Sequence, residues 1–127
     1  FRKNKKTDYL TAAYKMKPAD DVNNPNTVKV VFDKNMNAVY FSRYAVPFIR
    51  DKKNVKPCYY KHIGVYGYRR KFLIDFSNLK QTYLEKAESL EQLRAIETGK
   101  KIKIIISAKD LQDVNVFEDI AKVEDKL

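Results

Sequence analysis

Residues 82–107 read TYLEKAESLEQLRAIETGKKIKIIIS, and this stretch decides the fold class. Thr82 is a good helix N-cap, and Glu85 stands three residues on as the reciprocal partner of a capping box. Tyr83, Leu84, Ala87, Leu90 and Leu93 recur at helical spacing, so the pattern predicts one helix from Tyr83 to about Thr98. Gly99 supplies the C-terminal stop. Ile102, Ile104, Ile105 and Ile106 then predict a strand, and its unbroken apolar end predicts burial on both faces. Val114 leads into a last helix, with Asn115 as N-cap, Glu118 as capping-box partner, and Ile120, Val123 and Leu127 on one side. Strand and helix alternate here, which says α/β.

Upstream, Val28–Phe32 and Ala38–Phe41 are β-branched and aromatic runs around a polar Asp33–Asn37 loop, a β-hairpin pattern. Residues 43–57 read as an extended loop punctuated by Pro47. Residues 59–68 form a second aromatic strand region, with Gly64 and Gly67 letting the backbone bend or approach something closely. Residues 69–76 read as a short helix, and residues 9–16 as a strand or short amphipathic segment. Pro18 to Asn26 is a turn-rich loop, with Asn24-Pro25 biased away from helix. No internal repeat or long linker divides the chain, so 1–127 is expected to be a single piece: a β-hairpin and a mixed sheet flanked by helices.

The 127 residues are 44% hydrophobic and 33% charged, ordinary globular composition that argues against disorder. No apolar run is long enough to cross a bilayer. The single cysteine, Cys58, excludes a disulfide framework within the chain and fits a reducing, cytoplasmic setting. The chain opens on Phe1 with no signal peptide, which suggests an internal or trimmed piece. Lys plus Arg total 26 against 16 acidic residues, a formal charge of +10. That balance invites a nucleic-acid reading. The lysines are spread along the chain, however, and only residues 2–6 and 69–71 form dense basic clusters. No nucleic-acid motif accompanies either, so a generic Lys-rich surface is the preferred reading and nucleic acid an unfavoured partner. A basic field also suits an anionic small molecule.

Three features fit packing alone poorly. Arg43 sits where a strand opens into a long loop, a common place for sites, although a solvated strand-end arginine is the commoner case. His62, the sole histidine, shares a strand face with Gly64, Tyr66 and Tyr68, while Ile63 and Val65 share the other. An imidazole and two phenols beside a glycine form either a floor for a polar ligand such as a sugar or a structural face with bonded hydroxyls. Arg94 lies in the apolar arc of the predicted helix and Glu91 at its edge, either a structural i, i+3 pair or a pair aimed into a cleft. Together they suggest a polar pocket between a strand and a helix. With glycines only at 64, 67 and 99 there is no phosphate-cradling loop. Neither a Ser/His/Asp arrangement nor a Cys/His metal spacing occurs.

Taken in order, Asn24-Pro25-Asn26-Thr27-Val28-Lys29-Val30-Val31, Tyr40-Phe41-Ser42-Arg43 with Pro47, residues 62–69 (HIGVYGYR), and residues 84–94 resemble the C-terminal half of 3-deoxy-manno-octulosonate cytidylyltransferase, the CMP-Kdo synthetase family. The resemblance runs from about Asp8 to near the chain's end. It implies the C-terminal part of a nucleotidyltransferase-like α/β fold, the half that binds the sugar and forms a homodimer. The family couples CTP to the acid sugar Kdo, giving CMP-Kdo and pyrophosphate for lipopolysaccharide synthesis. Carried over by position, Arg43, His62, Tyr66, Glu91 and Gln92 fall on its sugar-binding residues. An arginine suits the sugar's carboxylate, and the other four can bond hydroxyls.

The resemblance implies no catalytic residue in this half, because the phosphate-binding loop and a first metal-binding Asp belong to an N-terminal half that this chain lacks. The chain alone is therefore expected not to turn over CTP. Mg²⁺ is the implied cofactor. The family's Gly-Val-Asp-Thr-Pro-Glu-Asp motif, whose first Asp is a metal ligand, corresponds here to Asp113-Val114-Asn115-Val116-Phe117-Glu118-Asp119. Asn115 keeps the capping role and lacks the carboxylate that Mg²⁺ favours; Asp113 is the nearest substitute. The alternatives are a cytidylyltransferase for another acid sugar, such as a nonulosonate, and a non-catalytic basic binding module.

Overall fold

A computed structural model describes residues 6–110. Five strands form one mixed sheet: β1 (Tyr9–Lys15), β2 (Lys29–Phe32), β3 (Ala38–Ser42), β4 (Tyr60–Tyr68) and β5 (Lys103–Ser107), in the order β3-β2-β4-β1-β5. All neighbours run antiparallel except β1 and β5, which are parallel. Three helices, α1 (Arg70–Ser77), α2 (Tyr83–Glu88) and α3 (Leu93–Glu97), fill the connection between β4 and β5. β4 ends and β5 begins at the same end of the sheet, on either side of the start of β1, since Tyr68 faces Tyr9 and Lys103 faces Leu10. The sheet rolls until its two edges touch at one end. Asn37, at the start of β3, bridges Lys103, and Ala38 N–H donates to the Ile102 carbonyl at 2.8 Å.

The hairpin, the aromatic strand and the short helix form where local pattern places them. α1 docks through Phe72 and Phe76, one turn apart, whose rings stack at 5.8 Å and continue through Tyr68 onto Tyr9. The main core joins Tyr9, Ala13, Val30, Phe41 and Phe76 to Leu90, Leu93, Ala95, Ile102 and Ile104. A smaller cluster of Ala12, Tyr14 and Ile63 lies on the sheet's other face.

Three expectations need correction. The helix over 83–98 is two helices, because Ser89 takes the left-handed conformation (φ 54°) and Leu90 N–H turns back to the Glu85 carbonyl at 3.1 Å. With the helix broken there is no single apolar arc: Tyr83 is 78% exposed and Glu85 is buried. Second, Arg94 pairs with Glu85 rather than with Glu91. Third, β5 is an edge strand, and it buries Ile104 while leaving Ile105 half exposed. Gly99, at φ 78°, does stop α3, with Lys100 N–H returning to the Ala95 carbonyl. The expected last helix, with Asn115, lies outside the described residues.

Candidate functional site

A cavity of about 390 Å³ opens between β4, the 26–28 segment and the turn joining α2 to α3. His62, Gly64 and Tyr66 line it from the strand, and Ser89, Leu90, Glu91 and Gln92 from the turn. Four of the five residues singled out in the sequence thus converge on one cavity, the strand-and-helix pocket anticipated there. A two-residue bulge in β4 explains why the strand side survives. Thr11 faces Tyr66 and Ala12 faces Ile63, so Gly64 and Val65 are extra. Inserting two residues preserves the alternation, and His62 and Tyr66 stay on one face with ring centroids 5.5 Å apart. This face is also the aromatic core face: Phe41 packs edge-on against His62 at 5.0 Å.

Arg43 is placed elsewhere. Its Nε donates to the Glu88 carbonyl at 2.7 Å, Nη1 to the Pro25 carbonyl at 2.9 Å, and Nη2 to the Ser89 carbonyl at 3.2 Å. Arginine's rigid fork suits three converging carbonyls, and here it satisfies the orphaned carbonyls at the end of α2. Glu88 answers by accepting Arg43 N–H at 2.9 Å and the Ser42 hydroxyl at 3.1 Å. Arg43 therefore braces two walls of the cavity instead of lining it.

Lys29 was not anticipated as a site residue. It is fully buried, and its ammonium donates to the carbonyls of Asn24, Thr27 and Arg43. Burial lowers its pKa, with Asp21 and Glu88 opposing. Nothing in strand periodicity marks it, because its partners are backbone carbonyls.

His62 is 7% exposed, and burial pushes its pKa down to about 4, so the imidazole is neutral near pH 7. Gln92 is 4% exposed, and its side-chain amide makes no hydrogen bond among the described residues. The Glu91 carboxylate likewise has no ion-pair partner there. Lys61, on the rim, pairs with Asp110 at 3.1 Å. Among the described residues the buried side-chain polar atom left without a partner is Thr82 Oγ1, so the Gln92 amide opens to the cavity it lines and is available to a ligand. Among the described residues no three His, Cys, Asp or Glu side chains come together as a metal site would need. None of their helices is long and apolar enough to cross a membrane. A larger cavity of about 600 Å³ lies beside Lys71, Lys100 and Lys101, and none of the sequence-selected residues lines it.

A mixed sheet flanked by helices, carrying a cavity lined by a neutral imidazole, a phenol, a carboxylate and an amide, defines an α/β protein with a polar small-molecule cavity. The cytidylyltransferase pattern matches residues 1–102, and the chain belongs to that family. It is 44% identical, over 97% of its length, to a 3-deoxy-manno-octulosonate cytidylyltransferase of Fusobacterium nucleatum. It is 49% identical over 94% of its length to an 8-amino-3,8-dideoxy-manno-octulosonate cytidylyltransferase of Shewanella pealeana. The alignments span 49% and 48% of those two proteins, so the chain spans about half the length of the curated relatives it matches. A solved CMP:2-keto-3-deoxy-manno-octonic acid synthetase, complexed with CTP, superposes with a TM-score of 0.81 at 35% identity, covering 98% of this chain and 50% of that one. The nucleotidyltransferase-like α/β fold expected from the sequence is thereby established.

Proposed function

We propose that this chain is the sugar-binding part of a cytidylyltransferase acting on an eight-carbon 3-deoxy acid sugar. In the coupling reaction a sugar hydroxyl oxygen attacks the α-phosphorus of CTP, the bond to pyrophosphate breaks, and the hydroxyl loses its proton. The residues here bind and orient the sugar. The convergence of His62, Tyr66, Glu91 and Gln92 from two separate elements on one cavity carries this reading. Arg43 acts as the brace of that cavity. The chain's own turnover of CTP is expected to be nil, since no phosphate-cradling glycine loop occurs in its sequence. A homodimer, a Mg²⁺ requirement touching positions 113 and 115, lipopolysaccharide synthesis and a cytoplasmic setting complete the reading on the strength of the family resemblance.

The sugar is Kdo or its 8-amino-8-deoxy analogue. The Glu91 carboxylate at the cavity suits either, since it accepts from a hydroxyl or from an ammonium. Calorimetric titration of the 127-residue chain with each sugar tests the reading, and CTP with Mg²⁺ and sugar tests turnover. Saturable binding of one sugar without pyrophosphate release is the expected result. Absence of binding for both sugars, or pyrophosphate release by the chain alone, would contradict it.

A further inference from the structure

Thr11 lies on β1, 51 residues from His62 in sequence and outside the cavity lining. Its hydroxyl is 2.9 Å from His62 Nε2, 2.8 Å from the Val65 carbonyl and 3.2 Å from the Ile63 carbonyl. A hydroxyl carries one hydrogen. If that hydrogen went to the imidazole, two carbonyl oxygens would face the hydroxyl oxygen with nothing between them. If it goes to a carbonyl, the hydroxyl lone pair is free to accept from Nε2–H. The β4 bulge brings both carbonyls to the same hydroxyl, so the second arrangement is the one the backbone enforces.

We infer that Thr11 is a positioning residue that holds His62 as the Nε2–H tautomer, presenting Nδ1 to the cavity as a hydrogen-bond acceptor for a hydroxyl of the bound sugar. Burial keeps the ring neutral and so keeps that lone pair available. Nδ1 makes no hydrogen bond among the described residues. With the Glu91 carboxylate lining the same cavity, the site selects ligand groups that donate hydrogen bonds, and it disfavours a sugar carboxylate. The inference rests on the reading of the cavity as a sugar site for its ligand, and on the bulge geometry for the tautomer.

His62 is the sole histidine, so the tautomer can be read directly from the ¹⁵N resonances of its ring in the 127-residue chain. The expected result is a protonated Nε2 and an unprotonated Nδ1, with the Nδ1 resonance moving when Kdo is added. Thr11→Ser should keep both the tautomer and the affinity. Thr11→Val strands a buried Nε2–H, should turn the ring toward the Nδ1–H form, and should weaken Kdo binding about tenfold, the worth of one hydrogen bond. A protonated Nδ1 in the unsubstituted chain overturns the inference, whatever becomes of the valine variant's fold. So does a folded Thr11→Val chain with unchanged tautomer and affinity. The expected tautomer with no saturable sugar binding would instead overturn the sugar reading, and with it the ligand assigned to Nδ1.

Discussion

Arg94 and Glu85 close a two-pronged ion pair across the break between α2 and α3, Nε to Oε2 at 2.8 Å and Nη2 to Oε1 at 2.6 Å. Glu85 Oε2 also accepts from Thr82 N–H at 3.2 Å, so one carboxylate caps α2 and fastens α3 to it. The Arg94 hydrogen bond holds the Glu85 carboxyl below its usual range. The guanidinium carbon lies 5.0 Å from the centre of the Phe76 ring, which ties the pair to α1. The turn that presents Glu91 and Gln92 is thus fixed at both ends.

Removing one partner should leave the other buried and unpaired. Arg94→Ala and Glu85→Ala are each expected to cost about 3 kcal/mol or more in urea unfolding. The double variant should cost clearly less than the sum. Arg94→Lys should fall near the alanine variant, because an ammonium cannot reproduce the fork. Additive single costs would show that the pair does not act as a unit.

Lys29 makes a second, independent prediction. Lys29→Met keeps an unbranched side chain but leaves the Asn24, Thr27 and Arg43 carbonyls without their donor. Destabilisation of about 2 kcal/mol or more is expected, together with weaker sugar binding, because Asn26 and Val28 border the cavity. A methionine variant as stable as the parent would mean that water serves those carbonyls equally well.

How much of this was readable in sequence depends on where each signal resides. The β2–β3 hairpin, the aromatic strand, α1 and the Gly99 stop all follow from residues within a few positions of one another. The break at Ser89 does not, since its left-handed backbone is held by Arg43, 46 residues away. Serine there carries none of the warning a glycine would. The mispairing of Arg94 with Glu91 follows from that single miss, because i, i+3 neighbours face each other only on an unbroken helix. His62 and Tyr66 were placed correctly even though the strand is irregular. The bulge adds two residues, and an odd insertion would have put them on opposite faces. Arg43 was noticed for its charge, but its partners are backbone carbonyls, which no side-chain pattern reveals.

Arg43 can therefore be told apart from a ligand-contacting arginine. Arg43→Lys loses the fork that holds three carbonyls, and is expected to lower stability by about 2 kcal/mol and sugar affinity together. Stabilising the fold by osmolyte should recover little of the affinity, because the Ser89 turn stays unbraced. An Arg43→Lys chain with full stability and abolished binding would place the guanidinium on the sugar instead.

The cavity residues should behave in the opposite way. Glu91→Gln and Gln92→Ala each remove one ligand-facing polar group without orphaning a protein partner. Stability should stay within about 0.5 kcal/mol of the parent for Glu91→Gln, an exposed position. Affinity should fall about tenfold for each. If the preferred sugar carries an ammonium, Glu91→Gln should hurt that sugar more than its hydroxyl analogue. Equal losses would assign Glu91 to a hydroxyl common to both.

The buried imidazole also sets a pH dependence. In the unfolded chain His62 titrates near 6.5, whereas in the folded chain burial lowers the value to about 4. Above about 6.5 the ring is neutral in both states and contributes no slope. Between the two values the unfolded chain binds a proton that the folded chain refuses, so stability falls as the pH drops, by about 3 kcal/mol over the full interval. Glu85 acts lower down. Its depressed carboxyl stabilises the fold above the unfolded value of 4.5 and loses that contribution only as the pH falls through the folded value. The window from about pH 6.5 to about pH 5 therefore isolates His62 from Glu85. Urea unfolding of the parent and of His62→Gln across that window should give curves that diverge at high pH and approach one another as the pH falls, because only the parent loses stability. Parallel curves would mean that the folded imidazole takes up its proton as readily as the unfolded one, which a ring buried against Phe41 and Thr11 should not do.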